Sequence, residues 1–298
     1  MIDLQFHSPV EQIQHPLFAE KGIEVFIKRD DLIHPLISGN KWRKLKYLLR
    51  KIEEEGKSRL VTFGGAWSNH LLATACAAAK FGLQSTGIVR GEEVENDVLF
   101  FCKLFGMKLI FVERESYRDK KALFESLFSN DPTAFFIDEG GNSYEGTLGC
   151  AEIIDELPEV YDHIFSACGT GTTAAGIING INKNRLKTRF HGIPVLKGGE
   201  FLRPDIEKYL DTTSGFEHHT NYHFSGYAKT TPELLQFIQQ FSSTTGILID
   251  PVYTGKMLYA LFDLAEKDYF NKNDKVLAVH TGGLFGLLGM KSRFDFLQ

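Results

Sequence analysis

A lysine placed between a flexible turn and an apolar helical repeat is a candidate reactive amine, and Ser38-Gly39-Asn40-Lys41 offers one. The turn residues free the backbone, and Leu45, Leu48, Leu49 and Ile52 then recur at helical spacing. The clear helical period spans residues 46–56. Lys41 stands at its start, where unpaired amides and the helix dipole are positive. Positive potential makes an ammonium release its proton more readily. A readily deprotonated amine is what Schiff-base formation with an aldehyde requires. Taken alone, the stretch favours the plainer reading, Lys41 as one of four solvated cations, Lys41, Arg43, Lys44 and Lys46.

Three further stretches carry chemistry. Gly169-Thr170-Gly171-Thr172-Thr173 lies between the apolar run His163–Ala167 and a helix that opens near Ala174. Glycines admit an anion to the backbone, the helix start offers free N–H groups, and the threonines add hydroxyl donors. The loop lacks the lysine and spacing of a P-loop. No acidic residue ends a strand about 20 residues on to hold a ribose. A small phosphorylated cofactor therefore fits better than a dinucleotide. Ser68-Asn69-His70 follows Gly64-Gly65-Ala66-Trp67 and opens a helix to Lys80, a place that can hold a carboxylate or simply cap the helix. Asp250-Pro251-Val252-Tyr253-Thr254-Gly255-Lys256 precedes another helix. Tyr253 there, and Tyr227 in Ser225-Gly226-Tyr227-Ala228, can be an acid, a base, a substrate contact or a packed aromatic.

The elements that must position these residues alternate. From 46 to 145 short apolar strands (60–63, 87–90, 108–112, 134–137) alternate with helices, the mark of a parallel sheet covered on both faces. A helix over 146–158, strands at 163–167, 191–195 and 276–280, and helices near 206 and over 232–241 and 255–267 complete the pattern. Ligands on open parallel sheets bind beyond the carboxyl ends of the strands, so these loops are expected to meet in one cleft. At 298 residues the chain has length for about two domains. No Pro/Gly/Ser linker separates them, which predicts a broad shared interface.

Composition narrows the classes. The hydrophobic fraction is 43% and the charged fraction 24%, both ordinary for a globular protein. A net charge of −5 with no basic stripe argues against nucleic-acid binding as the main task. No apolar run approaches the ~18 residues that would span a bilayer. Met1-Ile2-Asp3-Leu4-Gln5 lacks the pattern of a secretory signal, so a cytoplasmic location is the expectation. Cys76, Cys102, Cys150 and Cys168 fit neither a disulfide framework nor a zinc spacing. The ten histidines form no ligand set, and His218-His219 reads as a polar loop.

Ser38-Gly39-Asn40-Lys41, Gly64-Gly65 with Ser68-Asn69-His70, Gly169 to Thr173, Asp250 to Lys256 and His280 to Gly283 occur in this order. Together, from about Val25 to Leu288, they resemble the aminocyclopropane-carboxylate deaminase and D-cysteine desulfhydrase family of pyridoxal-phosphate enzymes, of the tryptophan synthase β type. The resemblance implies an α/β fold with two open, mostly parallel sheets, helices on both faces, and pyridoxal 5'-phosphate between two domains. The large, cofactor-binding domain would be 1–45 plus 146–298 and the small one 46–145. Lys41 would be the Schiff-base lysine. Asn69 would bond the ring hydroxyl, and Gly169, Thr170, Gly171, Thr172 and Thr173 would hold the phosphate. Ser68, Tyr253 and Tyr227 would face a small amino-acid substrate, with Trp67 and His70 beside it. A homodimer is also implied.

One departure points to a subgroup. Where the cyclopropane deaminases resembled here carry a glutamate beside the pyridine nitrogen and a leucine after the last strand's histidine, this chain has Thr254 and Thr281. A carboxylate keeps that nitrogen protonated, and a neutral hydroxyl does so much less. The weaker electron sink suits expulsion of a thiolate better than opening of a cyclopropane. The expectation is D-cysteine desulfhydrase activity, with 1-aminocyclopropane-1-carboxylate deamination second and a cofactor-binding protein with little catalysis third. Trp67 is expected to reshape the substrate pocket.

Overall fold

The computed structural model describes residues 3–37, 39–213 and 215–297, so Ser38 of the turn motif lies outside them. The chain opens with β1 (Val10–Gln12), α1 (Pro16–Lys21) and β2 (Glu24–Lys28), then enters α2 (Asn40–Glu54). Next come β3 (Arg59–Gly64), α3 (Asn69–Lys80), β4 (Gln84–Arg90), α4 (Asp97–Leu104), β5 (Lys108–Val112), α5 (Lys120–Phe128) and β6 (Ala134–Ile137). It continues through α6 (Tyr144–Asp155), β7 (His163–Cys168), α7 (Thr172–Lys183), β8 (Arg189–Pro194), α8 (Leu202–Glu207) and β9 (Glu217–His218). The last elements are α9 (Pro232–Thr245), α10 (Thr254–Glu266), β10 (Lys275–Val279) and a 3-10 run over Leu284–Leu297.

Two sheets result, as expected. One has the order β5-β4-β3-β6 and is parallel throughout. The other has the order β1-β2-β10-β7-β8-β9 and is parallel except for β1, an antiparallel edge strand. Alternate residues of the central strands enter opposite cores, because strand side chains alternate faces. Phe165, Ala167, Val276 and Ala278 join the core under α1, α9 and α10. Ile164, Cys168, Leu277 and Val279 join the core under α6, α7 and α8. Both faces are therefore covered, and the strands read as continuous apolar runs. In the smaller sheet Val61, Phe63 and Ile88 pack with Tyr117 and the α5 aromatics, while Leu60 and Val89 pack toward α2, α3 and α4.

Three details depart from the sequence reading. Helix α2 begins at Asn40, six residues before the clear apolar period, so Lys41 lies in its first turn. β1 and α1 were not legible, since each is short and takes its shape from neighbours. His218-His219 is not a free polar loop. His218 ends β9, and the partly buried His219 completes a file of rings with the buried His191 and His163, His219 Nε2 to His191 Nδ1 at 3.0 Å and His191 Nε2 to His163 Nδ1 at 2.8 Å. The file ends on Asp274 Oδ2, 3.0 Å from His163 Nε2. The strand pairing of β7, β8 and β9 aligns histidines 28 residues apart, which no local pattern shows.

Among the described residues no helix is long and apolar enough to cross a membrane, and no cluster of three or more His, Cys, Asp or Glu could hold a metal ion.

Helix α6 packs unusually close to α2. A Cβ at Gly149 would lie 2.0 Å from the Arg43 carbonyl oxygen, so only glycine fits. Gly149→Ala must push the helices apart and is expected to lose about 1–3 kcal/mol of stability, the usual cost of overpacking. Chemical denaturation measures this, and a change below ~0.5 kcal/mol would contradict the close approach.

Candidate active site

The turn before α2 is held by contacts distant in sequence. Gly39 adopts a φ of 57°, and a Cβ there would lie 1.9 Å from the Thr281 carbonyl oxygen. Asn40 N–H donates to that same carbonyl at 3.3 Å. The Asn40 side-chain amide donates to Thr173 Oγ1 at 3.1 Å. The end of β10 and the start of α7 thus both touch the turn that presents Lys41. Beneath it, Arg43 makes two bonds to Asp30, Nη2 to Oδ1 at 2.7 Å and Nε to Oδ2 at 3.0 Å, with both residues fully buried.

Lys41 sits partly buried in this recess. Burial, and then the neighbouring Lys44 cation, lower its amine from an ordinary 10.5 to about 7. The helix start alone suggested the direction of this shift, but burial is its main cause. Lys44 lies three residues further on, hence on the same face of α2. Its Nζ donates to the Gly140 carbonyl at 3.1 Å and to Thr170 Oγ1 at 3.3 Å.

The Gly169–Thr173 loop opens α7. Gly171 occupies the N-cap with φ 79°, and no side chain caps the helix. By contrast α3, α4, α6 and α9 are capped by Ser68, Asn96, Ser143 and Thr231. An uncapped first turn leaves N–H groups for an anion. Thr172 Oγ1 donates to Asn142 Oδ1 at 2.8 Å, and the Thr170 and Thr172 hydroxyls are 3.3 Å apart. With Lys44 beside Thr170, these residues could hold a phosphate.

Ser68 caps α3 by accepting from Leu71 N–H at 3.3 Å. Asn69 donates one amide hydrogen to the Gly283 carbonyl at 3.3 Å, which leaves the second free. Tyr253 lies against the phosphate loop, since a Cβ at Gly169 would meet its ring at 3.1 Å. Its hydroxyl is 3.3 Å from that of Tyr227, which is half-exposed. Burial pushes both phenols above their ordinary 10, Tyr253 most, so each keeps its proton at neutral pH.

Four of the residues singled out from sequence stand apart from this opening or at its edge. The His70 ring is 2% exposed and turned inward to Thr62 Oγ1 at 2.8 Å. The Thr62 hydroxyl donates to the Ile137 carbonyl, so His70 Nε2 must be the donor. Burial, then the Lys41 and Lys44 cations, hold this ring well below 6.5, and it is neutral. Thr254 is fully buried. Its hydroxyl donates to Asp250 Oδ1 at 2.7 Å and accepts from Asp250 N–H at 2.9 Å. Thr281 keeps 6% exposure and is the more open of the two threonines. Trp67 is exposed and packs on Gly289 of the C-terminal run, where a Cβ would lie 2.7 Å from its indole.

Sequence reading missed Lys44 and the loop Gly140-Gly141-Asn142 after β6. Both left a signal. The glycine pair at a strand end repeats the pattern of the other loops, and Lys44 follows Lys41 by one helical turn.

In cofactor-free protein, amine modification of Lys41 followed by mass spectrometry should rise through about pH 7, because the free amine predominates above its lowered pKa. An exposed lysine rises only near 10.5. Lys44→Met removes a like charge and should move the Lys41 midpoint upward. A midpoint near 10 in the parent protein would contradict the site's electrostatics.

Comparison with known proteins agrees with this geometry. Residues 6–282 match the family described as pyridoxal-phosphate dependent enzyme. The bifunctional D-cysteine desulfhydrase/1-aminocyclopropane-1-carboxylate deaminase of Arabidopsis thaliana is 32% identical over 89% of this chain and 74% of its own length. The D-cysteine desulfhydrase of Yersinia enterocolitica is 28% identical over 93% of this chain and 91% of its own. A crystal structure of an ACC deaminase homologue superposes with a TM-score of 0.88 at 31% identity, covering 99% of this chain and 95% of that one. The lowered amine at Lys41, the uncapped helix start at Gly169–Thr173 and these matches agree: the chain belongs to the pyridoxal-phosphate-dependent enzymes, in the group of the 1-aminocyclopropane-1-carboxylate deaminases and D-cysteine desulfhydrases, and pyridoxal phosphate is its cofactor.

Proposed function

We propose that this protein is a lyase acting on D-cysteine, with water consumed and pyruvate, hydrogen sulfide and ammonia released. The observation that carries the choice of substrate is the state of Thr254. A threonine stands where a ring-facing carboxylate would favour cyclopropane opening, and its hydroxyl proton is already given to Asp250. The Asp250 carboxylate is in turn filled by four donors from its own turn, Thr254 N–H and Oγ1 on one oxygen, Val252 and Tyr253 N–H on the other. It has no lone pair left for a ring nitrogen.

The chain's residues divide the work as follows. Gly169 to Thr173 and Lys44 would hold the cofactor phosphate, and Asn69 would hold the ring hydroxyl through its second amide hydrogen. Thr281 would be the hydroxyl offered to the pyridine nitrogen. When bound, the cofactor supplies the electron sink for the substrate α-carbon. Lys41 Nζ, whose pKa lowered to about 7 leaves a large share of it unprotonated at neutral pH, is the base that takes the α-proton. The first turn of α3, beyond the Ser68 cap at Asn69 and His70, presents N–H groups to the substrate carboxylate. Tyr253 and Tyr227, both protonated, face the departing group and can donate to it. Trp67 closes one side of the pocket. The domains are divided as 1–45 plus 146–298 and 46–145, a reading supported by the sheets, whose strands fall on either side of those limits. Two such chains form the working homodimer in this reading.

A second substrate is favoured by the name of the Arabidopsis thaliana relative, which pairs the desulfhydrase with 1-aminocyclopropane-1-carboxylate deamination. The test is product release by the purified, cofactor-loaded protein. D-Cysteine should give pyruvate and sulfide faster than L-cysteine does. 1-Aminocyclopropane-1-carboxylate should give 2-oxobutanoate slowly or not at all. Lys41→Ala should lower turnover at least about a hundredfold, as loss of a general base does. Efficient 2-oxobutanoate formation without pyruvate from D-cysteine would overturn the threonine argument. Retained turnover in Lys41→Ala would overturn the role of Lys41.

A further inference from the structure

The segment that carries Tyr227 is strained. Phe224, Ser225 and Ala228 adopt φ values of 49°, 68° and 53°, and Gly226 one of 119°. Left-handed backbone is costly for residues with a Cβ, and a run of it persists only where surrounding contacts over-determine it. Beneath the segment lies Lys256, fully buried on the first turn of α10. Its Nζ donates to the carbonyls of His223 and Gly226, each at 2.8 Å, and reaches that of Val195, just past β8, at 3.4 Å. Among the described residues no carboxylate is bonded to it. A buried ammonium satisfied by three backbone carbonyls is spending its charge on holding backbone in place.

The position of Lys256 matters as much as its bonds. It is three residues beyond Tyr253 on the same helix start, and Tyr253 is aimed by the Asp250 turn. One turn of α10 therefore presents Tyr253 directly and grips the segment bearing its partner. The outer side of that segment is tied more loosely, by exposed Arg293 from the C-terminal run to the Ala228 carbonyl at 2.8 Å and Thr230 Oγ1 at 3.1 Å.

We propose that Lys256 is a positioning residue for Tyr227: by binding the His223 and Gly226 carbonyls it locks the left-handed segment 224–228 in the shape that sets the Tyr227 hydroxyl beside that of Tyr253. The catalytic consequence rests on the reading that the tyrosine pair faces the substrate. The structural consequence does not.

The test uses the cofactor-loaded enzyme and Lys256→Met, which keeps the volume and removes the donors. Amides in 222–230 should exchange with deuterated water at least about tenfold faster, while β7, β10 and the cofactor's absorbance stay as in the parent. With D-cysteine, turnover should fall about as far as in Tyr227→Phe. The double variant should be within about twofold of Tyr227→Phe alone, since two changes acting through one hydroxyl do not add. Exchange in 222–230 within about twofold of the parent, or losses that multiply in the double variant, would overturn the proposal. If Lys256→Met does not fold, Gly226→Ala decides instead, because it strains the same segment and leaves the buried ammonium in place. Unchanged exchange and turnover in that variant would overturn the proposal equally. If Tyr227→Phe alone keeps full turnover, the reading of the tyrosine pair fails, and the exchange measurement still decides whether Lys256 locks the segment.

Discussion

Arg43 is the side chain on which the placement of the reactive amine depends. It is fully buried two residues after Lys41, bonded twice to Asp30 beyond β2 and also to Glu156 at the end of α6. Lys28 shares Glu156 at 2.9 Å. A buried charge is tolerated only when fully paired, and removing one partner of such a pair costs about 3–5 kcal/mol. The network is therefore a demand as well as a support. α2 must begin where Arg43 reaches Asp30, and α6 must lie against it, which Gly149 permits. Lys41 inherits its position from these requirements.

The rest of the site is built by the same device, polar groups used inside the fold to aim others at the opening. Asp250 gathers the amides of Val252, Tyr253 and Thr254 and so aims Tyr253. His280 donates through Nε2 to the Leu248 carbonyl at 2.8 Å and accepts from Gly282 N–H at 3.2 Å, which shapes the turn that meets Gly39 and Asn69. Side chains without such duties are left at the opening: Lys41, the free hydrogen of Asn69, the Thr170 side and the two tyrosines. The electrostatics follow from the packing. Burial lowers the Lys41 amine, and a second cation one helical turn away lowers it further. That second cation is held by the Gly140 carbonyl and the Thr170 hydroxyl.

Much of this was legible in the chain. The alternation of strands and helices over 46–145 gave one parallel sheet, because buried parallel strands are continuous apolar runs with glycine-rich ends, and the family resemblance implied the second. The loops at Gly64–His70, Gly169–Thr173, Asp250–Lys256 and His280–Gly283 were visible because a backbone that approaches an anion or another backbone needs small residues. Lys41 stood out because a turn preceded it. The missed parts were silent for physical reasons. β1 takes its shape from pairing with β2, and the histidine file from the register of three strands. The partners of Lys256, and one of the two partners of Lys44, are backbone carbonyls, which have no residue identity to read.

The sequence by itself determined the order of the elements, the four glycine- and hydroxyl-rich loops and the candidate amine, since each depends on local propensity and short-range pattern. Tertiary structure decided which candidates share an opening and which do not. It turned His70 inward to Thr62, spent the Thr254 hydroxyl on Asp250, and brought Lys44, Asn142 and the Lys256-held Tyr227 to the site. Such outcomes depend on which hydrogen-bond partners the fold brings together, from 4 residues apart for Thr254 and Asp250 to 126 for Lys44 and Thr170, and a buried polar group is assigned its role only when the fold shows which partner satisfies it.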